Sequence, residues 1–216
     1  MLSLELEQAR SEKLLLNILP AAIAQRLKAN DMRIADHYAS VTVMFADLIN
    51  FTQISEKMSP TQLIDLLSQV FLSFDQLAEK FQVEKIKTIG DAYMVISGAP
   101  VIYADHAHRI AEMALEMKSA LNEVSMKIGI NLGMRIGINS GPVVAGVIGS
   151  SKFSYDLWGD TVNMASRMED TCTPDAIQVT QATQQILQHS YTFAARTGVQ
   201  VKGKGAVDTY ILLGHK

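Results

Sequence analysis

Two acidic residues stand where carboxylates can do chemistry. Asp47 closes an apolar run in Phe45-Ala46-Asp47-Leu48-Ile49-Asn50-Phe51-Thr52, and Asp91 lies in Lys87-Thr88-Ile89-Gly90-Asp91-Ala92-Tyr93. If these segments are neighbours in one sheet, both carboxylates emerge at one edge. Two carboxylates in oxygen-rich surroundings suit Mg²⁺ or Mn²⁺ held together with phosphate oxygens. The ordinary reading of each Asp is a cap on a turn or helix. Leu48 to Thr52 lead towards a helix, where backbone N–H groups such as those of Phe51 and Thr52 can hold phosphate. A plain strand-to-helix loop fits the same residues.

Asn163 and Arg167 are spaced i, i+4 and share one helix face. A carboxamide beside a guanidinium suits a sugar oxygen and an anionic transition state, although an isolated pair of this kind is ordinarily a solvated face. Lys202-Gly203-Lys204-Gly205 is a flexible basic loop able to reach a polyphosphate, without the spacing of a Walker loop. Ser140-Gly141-Pro142 with Gly146 lacks the dinucleotide fingerprint and reads as a tight turn. His106 and His108, two apart, do not share a helical face, and the single cysteine, Cys172, is distant from both, so zinc is not expected. No G-x-S-x-G elbow supports a serine hydrolase.

The elements that must position these residues follow from periodicity and end signals. Residues 1–19 read as a charged helix in which Leu2, Leu6, Ala9, Lys13 and Leu16 follow a coiled-coil spacing; an amphipathic helix packed on its own domain is the alternative. Pro20 breaks it, Ala21–Lys28 forms a short helix, and Asn30–Ser40 is a polar connector. Ser40–Phe45 alternates as a strand ending at Asp47. Ser59-Pro60-Thr61-Gln62 starts a helix whose Leu63, Leu66, Leu67, Val70, Phe71, Phe74 and Leu77 form an apolar stripe. Val83–Ile89 and Ala92–Ser97 are a hairpin around Gly90-Asp91. Asp105–Val124 is helical, Met134–Asn139 and Val143–Ile148 are two strands joined around Ser140-Gly141-Pro142, and Thr161–Thr171 is a third helix. Ile177–Thr180, Gln181–Gln188 and Thr209–Leu213 are strand, helix and strand. The order is β-α-β-β-α-β with additions, which predicts an α+β sheet with helices on one face and a ferredoxin-like core.

The 216 residues give ample material for one sizeable core. Hydrophobic residues make up 48% and charged ones 19%, a globular balance. A net charge of −3 excludes a nucleic-acid binder held by a strongly basic surface, yet leaves room for a local cationic pocket for a small polyphosphate. One cysteine excludes an intrachain disulfide framework and fits a reducing compartment. No apolar run reaches the roughly 18–20 residues that span a bilayer, and no signal peptide is evident. A soluble, cytoplasmic chain is expected, or the cytosolic part of a membrane-anchored protein.

Residues from about 38 to 213 together resemble the class III nucleotidyl cyclase catalytic domain. The match runs through Phe45 to Thr52, Lys85 to Met94, Gly137 to Val143, Tyr155 to Glu169 and Val201 to Gly205. The resemblance implies two chains paired head to tail, with each active site formed across the interface. Asp47 and Asp91 match the aspartates that hold two divalent metal ions, with the backbone carbonyl of Leu48 assisting. Arg167 matches the transition-state arginine, Asn163 the ribose-orienting asparagine, and Lys202 the lysine on the terminal phosphates. Lys87 and Asp156 match the base-selecting pair. The metal ligands and the Lys87/Asp156/Asn163/Arg167 group come from opposite protomers.

Base choice can be argued from hydrogen bonding. Adenine offers an acceptor at N1 and an exocyclic amino donor, which complement a lysine and an aspartate; guanine presents the reverse. Guanylyl members of the family carry Glu and usually Cys at these places, so Lys87 and Asp156 point to ATP and an adenylate cyclase. Leu14 to Pro20 resembles the helical transducer that joins a sensor or membrane region to such domains. Residues 1–37 are expected to be that transducer and its connector, and 38–216 the catalytic domain. A helix directly after Met1 reads as a fragment of a longer chain or a very short natural form. The alternatives are a guanylate or dual-specificity cyclase, which Lys87 and Asp156 oppose, and a non-catalytic dimerisation or nucleotide-sensing module, which would lack a metal Asp or the Arg.

Overall fold

A short helix, α1 (Ala21–Lys28), leads into a long strand, β1 (Ala35–Leu48). In the computed structural model, which describes residues 7, 10, 12, 14–31, 33–149 and 152–216, the chain continues through α2 (Phe51–Ser55), α3 (Pro60–Phe81), β2 (Glu84–Ile89), β3 (Ala92–Ser97), α4 (His106–Ile128) and β4 (Met134–Ile148). It then forms β5 (Ser154–Trp158), α5 (Asp160–Asp170), β6 (Ile177–Thr180), α6 (Gln181–Leu187), β7 (Tyr191–Val201) and β8 (Gly205–His215). The strands make one eight-stranded sheet in the order β2-β3-β1-β4-β6-β8-β7, with β5 pairing on β4. Its β2-β3-β1-β4 part, with α3 and α4 as the crossing helices, is the ferredoxin-like α+β core expected from the sequence.

Helix α3 begins where its end signals say it should. The Ser59 hydroxyl accepts from the Gln62 N–H and the Gln62 side chain accepts from the Ser59 N–H, with Pro60 at the first turn. Such a cap contributes about 1 kcal/mol. Leu66, Val70, Phe74 and Ala78 recur at i, i+4 and are buried. Burying each large side chain contributes roughly 1.5–3 kcal/mol, so the stripe holds the helix and the cap sets where it starts. In α4 the stripe is Ile110, Met113, Ala114, Met117 and Leu121.

The helices lie on both faces of the sheet, not on one. Met44, Ala46 and Leu48 of β1 join α3 and α4 in the larger core. Val41, Val43 and Phe45 face the other way, into a second core with Ile23 and Ala24 of α1, Tyr155 and Leu157 of β5, and Ala165 of α5. Both faces of β1 are therefore dry, and Val41–Ala46 are buried without interruption. Helix α5 sits directly on β4 because Gly137 leaves room: a Cβ there would lie 2.0 Å from the Glu169 backbone nitrogen and 2.5 Å from the Ala165 carbonyl oxygen.

Other expectations change in the same region. β1 begins at Ala35, inside the segment read as a connector, because Ala35–Tyr38 pair with Val143–Gly146 of β4. β4 runs unbroken through Ser140-Gly141-Pro142. Gly141 is needed there for packing, not for turning: a Cβ would meet the Thr161 hydroxyl at 2.7 Å. β5 and β7 stand where no strand was read, and β8 is longer than the Thr209–Leu213 segment. Leu2, Leu6, Ala9 and Lys13 of the expected seam lie outside the described residues. Leu15 and Leu19 pack on the second core while Leu14, Leu16 and Ile18 are exposed. Among the described residues no helix is long and apolar enough to cross a membrane.

Candidate active site

Asp47 is the penultimate residue of β1, directly across from Arg135 of β4, and its Oδ2 accepts from Arg135 Nη2 at 3.0 Å. Asp91 completes the two-residue turn between β2 and β3, where Gly90 takes the positive φ of 63°. Because β3 pairs with β1 (Ala46 opposite Tyr93), the turn carries Asp91 to the end of β1 beside Asp47. The two carboxyl groups are close enough for the Asp47 charge to act on Asp91. Burial first, and the neighbouring Asp47 charge second, push Asp91 up to about 6; Arg135 pulls the other way but is outweighed.

The Arg135 guanidinium also reaches Glu169 of α5 at 3.2 Å. Burial, then Asp47, push Glu169 up to about 7. Three carboxyl groups thus surround one guanidinium, leaving a deficit of positive charge. Arg135 and Glu169 were not singled out in the sequence. The signal was there: an arginine inside the otherwise apolar Met134–Ile138 run, and a glutamate on the inward stripe of α5 with Thr161, Ala165 and Met168.

Leu48 ends β1 with its side chain in the larger core. Asn50 follows in the left-handed region (φ 59°), and Phe51 and Thr52 form the first turn of α2, where backbone N–H groups lack intrahelical acceptors. The carboxylates of Asp47 and Asp91, with a carbonyl at Leu48, are hard oxygen donors of the kind Mg²⁺ and Mn²⁺ take, one or two carboxylates with the rest of the shell from substrate phosphates. Two neighbouring carboxyl groups, partly buried and facing a single guanidinium, fit a divalent cation at that place. Among the described residues there is no group of three or more His, Cys, Asp or Glu that could hold a metal.

A second group forms elsewhere. Lys87 on β2 pairs with Asp156 on β5 at 2.5 Å, and Asp156 Oδ1 also accepts from the Leu157 N–H at 2.9 Å. On α5, Asn163 is exposed and Arg167 bonds Asp170 at 2.8 Å. Lys202 is exposed at the start of the turn between β7 and β8, and Lys204 in the same turn pairs with Asp160 at the start of α5 at 2.9 Å. The structure therefore brings Asp47 to Asp91 and Lys87 to Asp156. Among the described residues, no hydrogen bond or ion pair joins these two pairs to each other or to Asn163, Arg167 and Lys202.

The chain belongs to the family described as the adenylate and guanylate cyclase catalytic domain, which matches residues 34–214. It is 42% identical over 214 residues to an adenylate cyclase of Mycobacterium tuberculosis, covering 99% of this chain and 48% of that protein. It is 40% identical over 211 residues to a membrane guanylyl cyclase of Dictyostelium discoideum, covering 97% of this chain and 14% of that one. The guanylate cyclase domain of RhGC from Catenaria anguillulae, solved with GTP, superposes with a TM-score of 0.80 at 38% identity, covering 84% of this chain and all of that one. The chain thus spans about half or less of the length of these curated relatives.

Proposed function

We propose that this domain converts ATP to 3′,5′-cyclic AMP and pyrophosphate in a head-to-tail homodimer. The observation that carries the choice of ATP is the Lys87–Asp156 pair. An ammonium and a carboxylate held within 2.5 Å of one another present one donor and one acceptor to the edge of a base, the complement of adenine N1 and its amino group. Guanine would set its N1–H against the ammonium and its carbonyl against the carboxylate. The guanylyl cyclases among the relatives give the second reading, with GTP as substrate.

Each chain would supply two half-sites. Asp47, Asp91 and the Leu48 carbonyl of one protomer would hold two divalent ions, Mg²⁺ or Mn²⁺, facing Lys87, Asp156, Asn163 and Arg167 of the second copy. Bound there, the cations supply a lowered pKa for the 3′ hydroxyl and counter-charge for the departing pyrophosphate. Arg167 neutralises charge that builds on the α-phosphoryl oxygens as the 3′ oxygen attacks in line. Asn163 orients the ribose, Lys202 grips the terminal phosphates, and the Phe51 and Thr52 N–H groups face the phosphate chain. The separation of the groups within one chain supports a shared site.

In this reading residues 1–37 are a transducer and its connector, residues 38–216 catalyse, and a sensor or membrane region lies upstream in the full-length protein. The domain works in the cytoplasm, where ATP is abundant. The test is to incubate the purified chain with ATP, and separately with GTP, plus Mg²⁺ or Mn²⁺, and to identify products by mass. Cyclic AMP from ATP alone is expected; cyclic GMP at a similar rate would remove Lys87 and Asp156 as the determinants of specificity.

A further inference from the structure

The last turn of α5 is fastened to the sheet by a set of buried and part-buried hydrogen bonds. Gln178 of β6 is fully buried. Its Nε2 donates to the Met168 carbonyl at 2.9 Å and to the Thr171 hydroxyl at 2.8 Å. Its Oε1 accepts from Arg196 of β7 at 2.6 Å and from the Thr209 hydroxyl of β8 at 3.2 Å. All four hydrogen-bonding positions of the amide are used, and acceptor-only and donor-only partners fix which way it points. Arg196 also donates to the Thr171 carbonyl at 2.5 Å. Thr171 passes the contact on: its N–H and its hydroxyl both donate to the Arg167 carbonyl, at 3.2 and 2.7 Å.

The carbonyls at the end of a helix lack intrahelical partners, and here Gln178 of β6 and Arg196 of β7 provide donors for two of them. The apolar contact at this turn, Met168 against Val199 and Val201, limits distance but not rotation. Directed hydrogen bonds limit both. Arg167 itself is tied only to Asp170 at the surface, so its reach depends on how the turn beneath it is set. A misplacement of about 1 Å can cost about a hundredfold in rate.

We propose that Gln178 is a positioning residue for Arg167, acting through the Thr171 hydroxyl. The proposal rests on the cyclase reading given above. Thr171→Val keeps the shape and removes the relay. Gln178→Glu keeps both acceptor contacts and removes both donors. Each should lower kcat for cyclic nucleotide formation about 10- to 100-fold while KM stays within about twofold. Thr171→Ser, which keeps the hydroxyl, should restore turnover. In an Arg167→Ala background, Thr171→Val should have no further effect on the residual rate. Melting curves ensure that assays are run well below the transition, where a contribution to folding alone would leave kcat unmoved. If Thr171→Val and any folded Gln178→Glu keep full kcat, or raise KM alone, the proposal is overturned and the cyclase reading stands. If the folded wild-type domain makes no cyclic nucleotide, the cyclase reading fails and the proposal falls with it.

Discussion

The acid group at the end of β1 and the mixed group on β2, β5 and α5 handle charge in opposite ways. Around Asp47 the carboxyls outnumber the guanidinium, and burial keeps water from making up the difference, so Asp91 rises to about 6. In the second group every charge but Lys202 has an internal partner: Lys87 with Asp156, Arg167 with Asp170. These partners are half-exposed, and pairs of that kind contribute about 0–1 kcal/mol. The first group carries more carboxyls than cationic partners, and in the proposed reading divalent cations complete it. In the second, the paired charges are already neutralised and loosely closed, so in the proposed reading a nucleotide replaces existing partners, which costs little. The cation site and Arg167, which faces the reacting phosphate in the proposed reading, should therefore be sensitive to single substitutions, and the Lys87–Asp156 pair tolerant of them but changeable in what it recognises.

The largest expected effect follows from the first group. Asp47→Ala and Asp91→Ala should each lower turnover by about a thousandfold or more, since the counter-charge to both reacting oxygens is lost. Turnover near wild type in either would remove the cation assignment. Arg167→Ala should lower kcat about 10²- to 10³-fold, the usual loss for one group facing developing charge. Mixing Asp47→Ala with Arg167→Ala chains sharpens the contrast between the groups. If they meet across an interface, one of the two sites in a mixed dimer is intact and activity returns in part. No recovery would place both groups in one chain's own site.

A smaller effect is expected from the second group. Lys87→Glu with Asp156→Cys should reverse the preference between ATP and GTP, a swing of about a hundredfold or more in the ratio of kcat/KM, because buried polar groups left unpaired reject the wrong base strongly. The combined variant should still turn over. If it loses activity with both nucleotides, the pair does more than choose the base.

The sequence made some of this legible and hid the rest for physical reasons. Helix α3 and the β2–β3 hairpin could be read because Ser59, Pro60, Gln62 and Gly90 encode their own local geometry. β7 could not: it is the outermost strand, and the exposed positions along Tyr191–Val201 carry no apolar alternation. Ser140-Gly141-Pro142 looks like a turn, and only the approach of Thr161 explains the glycine. Asp47 and Asp91 were visible as residues, but their meeting depends on β3 pairing with β1, a long-range fact. Arg135 and Glu169 each stood out locally as a charge among apolar positions, but their meeting joins a strand to a helix far along the chain, which no local pattern reveals.

The smallest prediction tests the comparison through stability. Asp91 has a folded-state pKa of about 6, above its ordinary value near 4. The folded protein therefore holds that proton more tightly than the unfolded chain does. This group favours folding as pH falls from 6 towards 4, and opposes it as pH rises through 6. Asp91→Asn removes the penalty. In cation-free buffer it should raise the melting temperature by a few degrees at pH 8 and make little difference near pH 3, below both pKa values. Added Mg²⁺ should stabilise the wild type at pH 8 and not the variant, because a ligand that binds only the folded state raises its stability. Asp156→Asn, which breaks a self-neutral pair, should lower the melting temperature slightly or leave it unchanged at pH 8. If Asp91→Asn instead destabilises the cation-free protein at pH 8, the acid group is not short of positive charge. Its difference from the second group would then lie in geometry rather than electrostatics.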